Sequence, residues 1–214
     1  MTGALPLDLD GVPSRLAQQM AFLVEIDQLK SVLRQTPIAD GSRRENTAEH
    51  SWQLAMAGML LSEHANEAVD SSHVVQLLLV HDLVEIYAGD TFIYASNDPT
   101  IAAEQEANEQ AAADRLFDGL PVDQGIRLRA LWDEFESKAT PESRFAKSID
   151  RLMPMLLNYV AGGGSWKVHA ITADKTHNLI DAQMPRGSLA LANYGHALVN
   201  RAVAEGILLP PVSM

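Results

Sequence analysis

The chain of 214 residues contains no cysteine. That absence excludes a disulfide framework, a cysteine-ligated zinc site, an iron–sulfur cluster and a thiol nucleophile. Basic residues are few: 16 Lys and Arg stand against 28 Asp and Glu, a formal net charge of −12. Such a chain is a poor electrostatic match for a nucleic-acid polymer or an anionic membrane, although local charge can still favour a small anionic substrate. No apolar run approaches the roughly 18–20 residues that a membrane span needs. The N-terminus lacks a basic stretch followed by an apolar one, so no signal peptide is expected and the expected location is cytoplasmic. Internal repeats, low-complexity segments and period-two strand patterns are scarce or absent.

What the chain does contain is helical punctuation. Leu16, Met20, Leu23, Val24 and Ile26 recur at a helical period through about residue 34, and Pro37, Asp40, Gly41 and Ser42 mark a loop over 36–44. Asn46 and Glu49 are spaced as a capping box opening a second helix. A helix over about 72–88 is apolar almost all round, which predicts a central, buried element, and Gly89 is its natural stop. Asp98-Pro99 opens a helix to Phe117, another spans about 122–138, and Thr140-Pro141 opens one striped by Phe145, Ile149, Leu152, Met153 and Leu156, with Pro154 predicted to kink it. Gly162-Gly163-Gly164 predicts a flexible joint, and about 189–205 a terminal helix. At roughly 150 residues per domain, 214 residues make between one and two, and the default reading is one domain, 1–214, of all-α class.

The informative polar residues sit at the end of the apolar helix. His81-Asp82 follows Leu77–Val80 directly, and a buried charge is costly unless paired or bound to a metal. An isolated His-Asp pair is common by chance; its company is less so. Glu85 shares its helix face, His50 lies early in the preceding helix, and Asp150 lies in an otherwise apolar stripe. Two imidazoles and two carboxylates suit one divalent ion of the Mn, Co, Mg or Zn kind, leaving coordination positions for water and a substrate oxygen. Glu85 is placed to orient the water or take its proton. Arg43 or Arg44, on the loop before His50, could hold a phosphate, or could form a solvated loop paired with Glu45 or Glu49. Lys147 reads as a surface lysine, Trp52 as core packing, and His64, His73, His169, His177 and His196 as surface or structural.

The pattern H…HD…D, met by His50, His81-Asp82 and Asp150, resembles that of the HD-domain metal-dependent phosphohydrolases. The stretches RRENTAEHSW (43–52), HDLVEIYAGDT (81–91) and AKSIDRLMPMLLNY (146–159) look like the subgroup that contains the bacterial 5′-deoxynucleotidases and their eukaryotic relatives. The resemblance covers roughly residues 16–160 and leaves 165–214 as a C-terminal helical extension. It implies a helical HD bundle, often a homodimer, and metal-dependent release of phosphate from deoxyribonucleoside 5′-monophosphates. It implies that Glu85 matches the catalytic glutamate and Asp90 the sugar-contacting aspartate; from the residues alone Asp90 is equally a turn residue after Gly89. No histidine lies between Asp82 and Asp150, unlike the binuclear members, which favours a single ion. The subgroup's Arg-Trp pair after the first helix is unmatched: the comparable stretch is Arg34-Gln35-Thr36-Pro37, where Arg34 could substitute from a shifted register. The alternatives are an HD phosphohydrolase acting on another small phosphate ester or a nucleotide di- or triphosphate, and a metal-bound helical binding module without turnover.

Overall fold

A computed structural model describes residues 9–94 and 99–212. The first helix, α1, is Ser14–Ile26, shorter than its sequence pattern predicts. The chain tightens into a 3-10 turn over Asp27–Ser31 and then forms a strand that the sequence did not announce, β1 (Leu33–Pro37). It pairs antiparallel with β2 (Arg44–Asn46), Leu33 opposite Asn46 and Pro37 opposite Arg44, with an irregularity between. Two short strands carry too few residues for a period-two signal, and this pair leaves the chain all-α in class.

The capping box forms as spaced: Glu49 N–H donates to the Asn46 side chain at 2.9 Å and Asn46 N–H to Glu49 Oε2 at 3.2 Å, opening α2 (Thr47–Leu61). α2 packs against α3 (Ser71–Val80) through Gly58, where a Cβ would come 3.0 Å from Leu78. Because that small-residue face goes inward, Trp52 stands outward and 65% exposed, contrary to its expected core place.

The predicted helix over 72–88 is broken. α3 ends at Val80, and i→i+3 bonds such as Leu83 N–H to Val80 O (3.1 Å) carry the chain into the short α4 (Glu85–Ala88). Gly89, at φ 78°, ends it in a conformation that a side chain would strain. α5 (Pro99–Phe117) and α6 (Val122–Ser137) follow; the expected cap Asp98 lies outside the described residues. α7 (Pro141–Val160) runs through Pro154 as one helix and packs against α2, α3 and α6, burying Phe145, Ile149 and Leu152. Where a flexible joint was expected, Gly162 and Gly163 form a hydrogen-bonded turn, Gly163 N–H donating to Asn158 O at 2.7 Å, and Gly164 opens α8 (Gly164–Val168). Asn158 Oδ1 accepts from Ser165 N (2.7 Å) and Oγ (2.9 Å) there. α9 (Ala173–Gln183) and α10 (Leu189–Ala204) lie on α7, and their Ile180, Leu198 and Val199 join the same core as Leu54, Leu77 and Phe145. No helix among the described residues is long and apolar enough to cross a membrane.

Candidate metal centre

Five elements deliver the site. The first turn of α2 supplies His50, the end of α3 supplies His81 and Asp82, and the middle of α7 supplies Asp150. β1 supplies Arg34, and α4 with its glycine stop supplies Glu85 and Asp90. The break after Val80 matters here: the tightened turn presents His81, Asp82 and Glu85 together beside α2 and α7.

His50, His81 and Asp82 each offer a ligand atom within 4.8 Å of the others. Asp150, the fourth residue of the expected set, stands beside this group of three, with Oδ1 3.3 Å from His50 Nε2 and 3.8 Å from His81 Nε2. Three of these residues are almost fully buried: His50 0%, His81 3% and Asp150 3% exposed. His81 Nδ1 faces the Leu78 carbonyl at 2.9 Å, and since a carbonyl only accepts, Nδ1 carries the proton. Nε2 is then turned to the carboxylates, buried and without a hydrogen-bond partner. An orphaned imidazole nitrogen facing the carboxylates of Asp82 and Asp150 fits the donor set of a divalent cation site.

The electrostatics agree. Burial alone would lower the His81 pKa, but the Asp82 and Asp150 carboxylates outweigh it and push it up to about 10. Burial would raise Asp82 and Asp150, yet His81 and Arg34 hold Asp82, and Arg151 and Lys147 hold Asp150, well below the usual carboxylate range. Without another cation the site keeps a proton to balance its charge; a metal would replace it.

Around the cluster, Glu85 is raised to about 9 by burial and by the neighbouring Asp82 charge. Its Oε2 accepts from Thr47 Oγ1 at 2.8 Å, and its Oε1 lies 3.8 Å from Arg34 Nη1. Asp90, also raised by burial, has Oδ1 3.4 Å from the same Nη1. Arg34 Nη1 donates to Asp82 Oδ2 at 2.8 Å, which makes this half-buried guanidinium the cation shared by the acidic wall. A cavity of about 320 Å³ opens onto Asp82, Glu85, Asp90, Asp150 and Arg34, and a narrower recess of about 60 Å³, bordered by Phe92 and Trp166, adjoins it.

The structure does not bring Arg43 and Arg44 to this cavity. Arg43 turns outward into a bidentate pair with Glu49 (2.7 and 2.8 Å), and Arg44 donates to the carbonyls of Arg34 and Leu33 (the latter 2.9 Å), stapling the hairpin. Arg34 stands where they were expected. Lys147 is buried instead of on the surface, its ammonium 3.4 Å from Asp150 Oδ2 and 3.9 Å from Glu136 Oε1. Thr47 and Glu45 also reach the site without a sequence signal beyond their place beside the helix cap. The remaining histidines lie elsewhere: His73 meets Glu134 at 2.9 Å, His169 meets Gln35 at 3.1 Å, and His177 and His196 meet each other at 2.7 Å.

The family model for the HD domain matches residues 26–191. The chain belongs to the HD domain family. Among solved structures, this HD-domain chain is similar to a protein from Magnetospirillum magnetotacticum MS-1 described as a predicted metal-dependent phosphohydrolase: 48% identity, TM-score 0.83, 92% of this chain and 100% of that one covered. Human 5′-deoxynucleotidase HDDC2 is 29% identical over 133 residues, which is 62% of this chain and 62% of that protein. Salmonella arizonae 5′-deoxynucleotidase YfbR is 29% identical over 168 residues, 74% of this chain and 83% of that protein. The HD-domain chain therefore spans less than two thirds of the human relative's length.

Proposed function

We propose that this HD-domain protein is a metal-dependent phosphohydrolase that releases phosphate from deoxyribonucleoside 5′-monophosphates. The observation that carries the reading is a cavity lined by His81, Asp82, Asp150, Glu85 and the half-buried Arg34, with His50 directly behind it against Asp150. The names of the human and Salmonella relatives support the substrate class.

His50, His81, Asp82 and Asp150 would hold one divalent ion, of the Mn, Co, Mg or Zn class. Such an ion, when bound, supplies Lewis acidity to a phosphoryl oxygen and acidifies water. Arg34, in place of Arg43 and Arg44, holds phosphate oxygens by charge-assisted hydrogen bonds, giving an acidic protein a local anion site. Thr47 occupies Glu85 Oε2, so Oε1 is the oxygen that takes the proton of the attacking water. The water oxygen bonds to phosphorus, the bond from phosphorus to the sugar 5′-oxygen breaks, and the leaving oxygen takes the proton that Glu85 received, giving nucleoside and phosphate and restoring the carboxylate. Asp90, at the cavity wall beside Arg34, accepts a hydrogen bond from the sugar.

Phosphate release from deoxy- and ribonucleoside 5′-monophosphates, with Glu85→Ala as control, tests this. Release from the deoxy series alone, lost in the control, supports both the chemistry and the role of Asp90. A protein that binds metal yet releases phosphate from no monophosphate would overturn the substrate class.

A further inference from the structure

Glu45 takes no part in the reaction proposed above, yet it is among the most buried acidic side chains of the protein, 3% exposed. It lies on β2, one residue before the cap of α2 and five before His50. Its Oε2 is 3.4 Å from His50 Nδ1 and 3.6 Å from Arg34 Nε. All three atoms are buried and none has a hydrogen-bond partner among the described residues, so these approaches are their only polar company there. A polar oxygen buried in such a place is costly unless polar groups face it, and the two that do are His50 Nδ1 and Arg34 Nε.

The two neighbours are cut in the same way. His50 has one nitrogen, Nε2, toward Asp150 and Asp82 and the other, Nδ1, toward Glu45. A carboxylate at Nδ1 holds the proton on that nitrogen and leaves the Nε2 lone pair for a metal. Arg34 has one edge, Nε, toward Glu45 and one end, Nη1, toward Asp82, Glu85 and Asp90. The donors of a guanidinium sit in a rigid planar fork, so fixing Nε fixes the direction of Nη1.

We propose that Glu45 is a positioning residue shared by two parts of the site. One buried carboxylate oxygen orients the metal ligand His50 through Nδ1 and the phosphate-binding Arg34 through Nε. The consequence is that a single side chain on the hairpin sets both the affinity for metal and the placement of the substrate's phosphate. The second half of this inference rests on the phosphohydrolase reading; the first half rests only on the metal cluster.

The test uses Glu45→Gln, which keeps the size and removes the charge, with Arg34→Met and the double variant. Mn²⁺ affinity is measured by calorimetry, and KM and kcat for a deoxynucleoside 5′-monophosphate at saturating Mn²⁺. Glu45→Gln is expected to weaken Mn²⁺ binding by about 10-fold or more, the usual effect of losing a histidine's outer partner. It is also expected to raise KM. Arg34→Met is expected to raise KM without weakening Mn²⁺ binding. In the Arg34→Met background, Glu45→Gln should weaken Mn²⁺ by the same factor and add no further rise in KM. Mn²⁺ affinity within twofold of wild type in Glu45→Gln would overturn the metal half, whether or not the protein turns over nucleotides. KM effects that multiply in the double variant would overturn the arginine half. Should Glu45→Gln not fold, Glu45→Asp keeps the charge but withdraws the oxygen: the same loss of affinity is then expected, and unchanged affinity refutes the positioning role.

Discussion

Glu85→Gln is expected to stabilise the metal-free protein, by an amount set by pH. The Glu85 carboxyl is raised from 4.5 to about 9 in the fold, and its side chain is 14% exposed, so solvent screens it little. A carboxyl whose folded pKa lies above its unfolded one binds more protons folded than unfolded. Its presence then costs nothing below pH 4.5, costs more with each step of pH through the window from 4.5 to 9, and costs the full amount above. At about 1.4 kcal/mol per pKa unit, the cost at pH 7 is of order 3 kcal/mol, and at pH 5 less than about 1 kcal/mol. Glutamine keeps an acceptor for Thr47 Oγ1 and has no charge to bury. Urea unfolding of metal-stripped wild type and Glu85→Gln at pH 5 and pH 8 should show a gain for the variant that grows strongly between the two. With metal bound, the gain should shrink, because a cation beside Asp82 favours an ionised Glu85. A gain of equal size at both pH values would show that Glu85 is already ionised in the metal-free fold, and the charge balance described for the site would be wrong.

Three further outcomes follow from the same geometry. Thr47→Val removes the donor to Glu85 Oε2 without changing shape, and should lower kcat by about 10-fold or more with KM little changed, while Thr47→Ser restores it; steady-state kinetics of the pair decides this. Metal at a hundredfold its dissociation constant should add about 2.7 kcal/mol to stability, roughly 5–10 °C in Tm, and Asp150→Asn should abolish that gain in thermal melts. At Gly125, a Cβ would come 2.4 Å from the Phe117 carbonyl, where α6 meets the end of α5, so Gly125→Ala should cost about 1–3 kcal/mol in urea unfolding despite its better helix propensity.

Much of this site was legible because its residues obey strong local rules. The Asn46–Glu49 box announces where α2 begins and so places His50 in its first turn. The stripe Phe145, Ile149, Leu152 fixes the buried face of α7, and Asp150, lying one residue off that stripe, is thereby at the core's edge. The HD pair stands out because it ends an apolar helix. What was not legible depends on partners far along the chain. Lys147 reads as a surface residue until α6 brings Glu136 beside it and the next turn of α7 brings Asp150. Arg34 outranks Arg43 and Arg44 only because the β1–β2 pairing turns it inward and leaves them on the outside. That pairing is three to five residues a strand, too short for an alternating pattern. The break in the 72–88 helix escaped for a related reason: an all-apolar segment signals burial but not where its hydrogen bonds tighten.

Phosphate release is expected to require one divalent ion held by His50, His81, Asp82 and Asp150. The direct measurement is phosphate release from a deoxynucleoside 5′-monophosphate as metal-stripped protein is titrated with Mn²⁺ under tight-binding conditions, alongside Asp82→Asn and His81→Ala. Activity that is absent without metal, rises linearly, saturates at one ion per chain and fails in both variants is the predicted result. Turnover by the stripped protein, or turnover that survives in either variant with the metal still stoichiometrically bound, would contradict it.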